Sequence, residues 1–116
     1  MDTMNIDEYM LLTLKNNMLL KDSVIDIATI MGHTSTHPIS SHIFCLEFNF
    51  TQEDHDKILL KLNLLSDKKT LNLAEIRSEL TKIVPEVSEL PEAIFKGMLS
   101  IFLKQFAIPL TVPELN

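Results

Sequence analysis

Glycine occurs twice and cysteine once in the 116 residues. Two glycines cannot build the Gly-rich loops that bring backbone amides against a phosphate, so neither a P-loop nor a dinucleotide fingerprint fits. One cysteine excludes an intramolecular disulfide framework. No stretch approaches the ~20 uncharged apolar residues that a membrane-spanning helix requires. The opening residues, MDTMNIDEYM, place acids where a secretory leader carries bases. Arginine occurs once, at Arg77, although arginine dominates specific contacts to base edges. Together these shortages predict a cytoplasmic chain with no membrane span, no nucleic-acid ligand and no cofactor.

Apolar residues make up 46% of the chain, enough to build a core and to exclude wholesale disorder. Its length suits one domain. Sixteen acids against ten bases give a net charge of −6 with both signs interspersed, which does not read as a nucleic-acid mimic. Leucine occurs 19 times and isoleucine 12 times, and the Leu, Lys and Glu content favours helix.

The spacing of Ile6, Tyr9, Met10, Leu14 and Met18 predicts a first helix from Thr3 to about Asn17. A short second helix is expected from Asp22 or Ser23, presenting Val24, Ile27 and Met31, with Gly32 at its C′ position. Pro38 is read as the start of a third. The stretch from Phe44 to Phe50 carries both an alternating and a helical pattern. Helix is preferred because no second strand is available to pair with it. Thr51 with Asp54 forms a near-standard capping box ahead of the stripe Ile58, Leu62 and Leu65. Asn72 with Glu75 caps a helix carrying Leu73, Ile76, Leu80 and Ile83, which ends at Pro85. A last, strongly apolar helix is expected from Ser88 to Phe106. The predicted fold is an all-α bundle of five or six short helices around that helix. Residues 1–108 form the domain and 109–116 an extended tail.

The segments HPISSHIFCLEFNFTQED, LNLAEIRSELTKI and PEAIFKGMLSIFL resemble, in order and character, the YhaI-like family of short helical proteins from Bacillus and its relatives. They cover about half of the chain, and the middle helix is about two turns shorter than in that family. The resemblance implies an all-helical fold and a bacterial origin. It implies no activity and carries over no functional residue.

One cluster has metal-ligand chemistry. His33, His37, His42 and Cys45 bring three imidazoles and a thiol into thirteen residues, donors suited to tetrahedral zinc. The spacing matches no zinc motif, so no metal is expected. His42 with Cys45 also lacks the neighbouring cation and orienting group of an activated thiol. The acidic run Glu53, Asp54 and Asp56 reads as a charged first turn. Lys57, Lys61, Lys68 and Lys69 are the local basic concentration, flanked by acids. The chain is therefore read as a non-enzymatic, self-associating interaction protein, a homodimer with a possible further protein partner and a regulatory role. Its expected interface is Ile94, Phe95, Met98, Leu99, Phe102 and Phe106, or the aromatic run Phe44–Phe50. A small metal sensor built on the His/Cys cluster is one alternative. A DNA-binding regulator using Thr51–Ile83 is the other.

Overall fold

A computed structural model describes residues 5–67 and 70–115. Its elements are α1 (Ile6–Ile30), α2 (Ser41–Glu47), α3 (Gln52–Leu65), α4 (Leu73–Ile83), a 3₁₀ turn (Pro85–Glu89), α5 (Glu92–Gln105) and a final 3₁₀ turn (Pro113–Leu115). The fold is all-α, with no strand among the described residues. Lys68 and Lys69 of the expected polar turn lie outside the described residues.

The helix starts follow local chemistry. Thr51 Oγ1 accepts from the Asp54 amide at 3.1 Å while an Asp54 carboxylate oxygen accepts from the Thr51 amide at 3.0 Å. Asn72 and Glu75 repeat the exchange at 2.8 and 3.4 Å. Each box satisfies two amides that lack helical partners. Three helices close alike. The His33 amide donates to the Ala28 carbonyl, Phe50 to Cys45 and Ile108 to Leu103. The residues between, Gly32, Asn49 and Ala107, have positive φ of 105°, 61° and 51°. That is the Schellman geometry.

Three predicted helix boundaries shift. The two N-terminal helices are one helix of 25 residues, unbroken at Asn16-Asn17. Asparagine costs a helix interior only about 0.7 kcal/mol relative to alanine, and no Gly or Pro interrupts residues 6–30. α2 starts at Ser41 rather than Pro38, because Ser40 is its cap, accepting from the Ile43 amide at 3.0 Å. The helix preferred for the Phe44–Phe50 stretch stands, running to Glu47 and then a turn, and Phe44 and Phe50 are buried in the core. Ser88 caps nothing; its hydroxyl donates to the Pro85 carbonyl within the 3₁₀ turn, and α5 begins after Pro91. The tail belongs to the body. Ile108, Leu110 and Val112 are buried, and the Leu71 amide donates to the Thr111 carbonyl.

α5 is the centre of the core. Phe95, Met98, Leu99 and Phe102 are wholly buried, packed with Phe44, Ile58, Leu62, Ile76, Leu80, Val84 and Val87. Arg77 clasps the turn between α4 and α5. It donates to the carbonyls of Val87, Ser88 and Leu90 and lies over the Phe95 ring, 5.0 Å from its centroid. α1 stands apart from this body. It packs chiefly against α2, and its protrusion gives the molecule extents of 64 × 31 × 23 Å.

Candidate functional site

Every described residue of α1 from Ile6 to Leu20 is exposed, and half-burial begins only at Lys21. Within α1 a single residue, Ala28, is buried. Eleven large apolar side chains of this helix are exposed, from Ile30 at 85% to Leu12 at 44%. The remainder of the described chain exposes few more, with Met31 just past the helix, Ile39 before α2, and Leu60 and Leu64 on α3. The free run of fifteen residues is about 22 Å long. It is apolar around most of its circumference, interrupted by a stripe of Glu8, Lys15 and Asp22 spaced seven apart. A helix with apolar residues on most sides belongs in an interior. An unpacked run of this length is also marginal in water, because helical stability in proteins comes mostly from packing.

The expected interface on α5 is corrected by burial. Phe95, Met98, Leu99 and Phe102 have no exposed surface, and Ile94 and Phe106 are half-buried against the same core. These side chains are consumed by the chain's own fold, which needs a central helix covered on several faces. The aromatic run is used in the same way, since Phe44 and Phe50 are buried and Phe48 packs beside them.

The His/Cys cluster is dispersed among separate roles. His33 is buried, with Nε2 3.1 Å from Glu47 Oε1 and Nδ1 accepting from the Ile39 amide at 3.2 Å. Both ring nitrogens are therefore occupied. His37 is exposed, its Nδ1 3.1 Å from Thr36 Oγ1. His42 is exposed and stacks on His55, ring centroids 3.9 Å apart. Cys45 lies in the core, where burial first, and then Asp54 and Asp56, push its thiol up to about 12. No group of three or more His, Cys, Asp or Glu gathers in metal-holding geometry among the described residues.

A constellation missing from the sequence reading lies between α2, α3 and α5. Ser41 Oγ is 2.8 Å from His55 Nε2, and His55 Nδ1 is 3.1 Å from Asp56 Oδ1. The order hydroxyl, imidazole, carboxylate is that of a nucleophile, base and orienting group. Its surroundings differ from a working site. Ser41 is 0% and His55 2% exposed. The Ser41 amide, a potential oxyanion donor, is given to Gln105 Oε1 at 2.8 Å. Phe102 and Phe106 pack on the His55 ring at centroid distances of 5.0 and 5.9 Å. The arrangement ties the first turn of α2 to α3 and α5 and leaves no approach for a substrate carbonyl. His55 extends the Ile58, Leu62, Leu65 stripe by one step of three, which is the signal that places it inward.

A groove of about 500 Å³ runs beside α5, lined in part by His37, Lys96, Gly97, Ser100 and Lys104. It is open to solvent, and Glu114 lies in its wall beside the two lysines. Three lysines elsewhere are matched. Lys57 pairs with Glu53 at 3.2 Å, while Lys61 and Lys82 both pair with Glu79, at 3.2 and 2.9 Å. No helix of the described chain is long and apolar enough to cross a membrane. Comparisons with family models, with curated proteins and with solved structures find no match.

Proposed function

We propose that the chain is a non-enzymatic, cytoplasmic interaction protein whose docking element is the free part of α1. One observation carries this reading: eleven exposed large apolar side chains lie on one helix, and its first fifteen residues are exposed. Full burial of such a side chain is worth about 1.5–3 kcal/mol at ~25 cal/mol per Å², so each, partly free, offers on the order of 60 Å². The helix then presents roughly 700 Å², more than the ~300–600 Å² of the largest patch on an ordinary monomer. A surface of that size marks a place where another polypeptide sits. A bacterial setting is supported by the resemblance to the YhaI-like proteins, and a lone buried thiol suits a reducing compartment.

The test is site-specific photocrosslinking of the full chain, purified and in its host cell. A photoreactive phenylalanine analogue replaces Leu14 or Leu19 on α1, and Ala93 on the body serves as control. Adducts at both α1 positions, with none at Ala93, are expected. No adduct on α1, or equal yields at Ala93, overturns the docking reading. The adduct mass separates a second copy from a different protein.

A further inference from the structure

Resting on that docking reading, we propose that the occupant of α1 is a second copy of this chain, paired antiparallel to the free run about a two-fold axis between Leu12 and Thr13. Leu11, Leu14, Met18, Lys21, Ile25 and Ala28 recur at intervals of three and four, the spacing of a coiled-coil seam. The second half of this seam already serves the chain's own body. Ala28 is buried, Ile25 is half-buried, and Lys21 Nζ donates to Asn49 Oδ1 at 2.6 Å. The first half, Leu11, Leu14 and Met18, continues the same face into solvent at 53–59% exposure.

Length and charge fix the register. The free run extends from the cap Asn5 to Leu20. Its midpoint lies between Leu12 and Thr13. An antiparallel mate centred there covers the run end to end, with its cap Asn5 opposite Leu20. Leu11 then stands opposite Leu14 of the second copy, and Asp7 opposite Met18 of the second copy. Glu8 and Lys15 flank the seam, exposed and without an ion pair among the described residues. In this register Glu8 faces Lys15 of the second copy, and the symmetry makes the pair twice. A parallel mate sets both against Met10 and Asn17, leaving the charges unmatched, and flanking charges are what select orientation in such pairs. The nine exposed apolar side chains of the paired run offer on the order of 540 Å² per chain, the scale of a small specific interface. Two-fold closure is also the commonest solution for a self-complementary patch. Leu12 and Leu19 lie away from the seam.

The experiment mixes two full-length variants, Asp7→Cys and Met18→Cys, under mild oxidation. Both positions are exposed, so folding is not at issue, and buried Cys45 stays silent. The mixture is expected to give the mixed disulfide, while each variant alone stays reduced. Sedimentation of the wild type is expected to give twice 13.2 kDa. Lys15→Glu should weaken association about tenfold, and adding Glu8→Lys to it should restore the wild-type value. Disulfides within Asp7→Cys alone or Met18→Cys alone indicate a parallel pair and overturn the arrangement. A 13.2 kDa species at every concentration overturns the second copy. If α1 photoadducts to another protein persist in that case, the docking reading stands without this proposal.

Discussion

Gly97 is the position at which one methyl group has the largest calculable consequence. It lies in the middle of α5, buried, against the loop that precedes α2. Helix propensity alone says that Gly97→Ala gains about 1 kcal/mol. Packing says the opposite. A Cβ at this position would lie 2.8 Å from the Thr36 carbonyl carbon, 3.2 Å from its Cα and nearer still to its oxygen. Carbon atoms in contact settle at about 3.5–4.0 Å, so the loop must retreat by close to 1 Å. The loop resists, because Thr34 and His37 exchange backbone hydrogen bonds at 3.3 Å, and Ser35 Oγ donates to Glu47 Oε2 at 3.2 Å. Overpacking of this kind costs about 1–3 kcal/mol in general. Backbone on the receiving side puts the cost at the upper end, for a net loss of about 2 kcal/mol after the propensity gain. At about 4 °C per kcal/mol for a domain of this size, the melting temperature should fall by roughly 8 °C. Thermal denaturation followed by circular dichroism measures it. A melting temperature equal to or above that of the wild type would refute the packing argument.

Ser41→Ala should destabilise the fold by about 1–3 kcal/mol in urea titrations, since it leaves His55 Nε2 buried without a partner. A loss below about 0.5 kcal/mol contradicts the structural role assigned to that network. Cys45, with its thiol pushed up to about 12, should hold about 10⁻⁴ of its population as thiolate at pH 8 and react with a disulfide reagent only on unfolding. Its folded value lies above the unfolded one, so its contribution is complete below about pH 9. Stability should fall as pH rises from there toward 12, and Cys45→Ala should flatten that alkaline limb. Hydrogen bonds from His55 and Gln52 hold the Asp56 carboxyl below the usual carboxylate range. Its contribution is therefore present above the unfolded value near 4 and lost as pH falls through the folded one. Asp56→Asn should remove that part of the acid limb in urea midpoints measured from pH 5 to pH 2, and an unchanged limb would contradict it.

Much of the fold was legible because its punctuation is chemical and local. Thr51-Asp54 and Asn72-Glu75 announce helix starts through side chains that satisfy their own backbone. Gly32 announces an end, because its φ of 105° is one that L side chains rarely adopt. Asn49 carries a weaker form of the same signal, being the second choice for a left-handed cap. Ala107 carries none, and its φ of 51° is imposed by Ile108 turning into the core. The unbroken α1 was misread for a related reason. Two asparagines are too weak a stop when nothing downstream forces the chain to turn. The packing of the tail is not legible, because prolines at 109 and 113 speak only about backbone conformation, while burial of Leu110 and Val112 depends on a core assembled from residues up to 68 positions away.

The candidate site was less legible, and the reason lies in how apolar stripes are interpreted. On α5, Phe95, Leu99 and Phe102 form a wide apolar arc, and so do Leu11, Leu14 and Met18 on α1. Sequence alone gives both helices more apolar surface than one contact needs. What separates them is connectivity. α5 lies between α4 and the tail, so the chain returns over it from both sides and the arc is filled by Ile58, Leu80 and Leu110. α1 meets the described body at its C-terminal end. Its C-terminal third reaches α2, and nothing in the described chain lies beyond Lys21 to cover the rest. A helix that the described body leaves uncovered therefore exposes the same kinds of apolar residues that α5 spends on the core. The heptad stripe of Glu8, Lys15 and Asp22 is the one sequence feature that distinguishes the two uses. A helix wrapped by its own chain can dispense with a regular charged seam, whereas a helix meeting a second copy needs charges at fixed spacing to set the register.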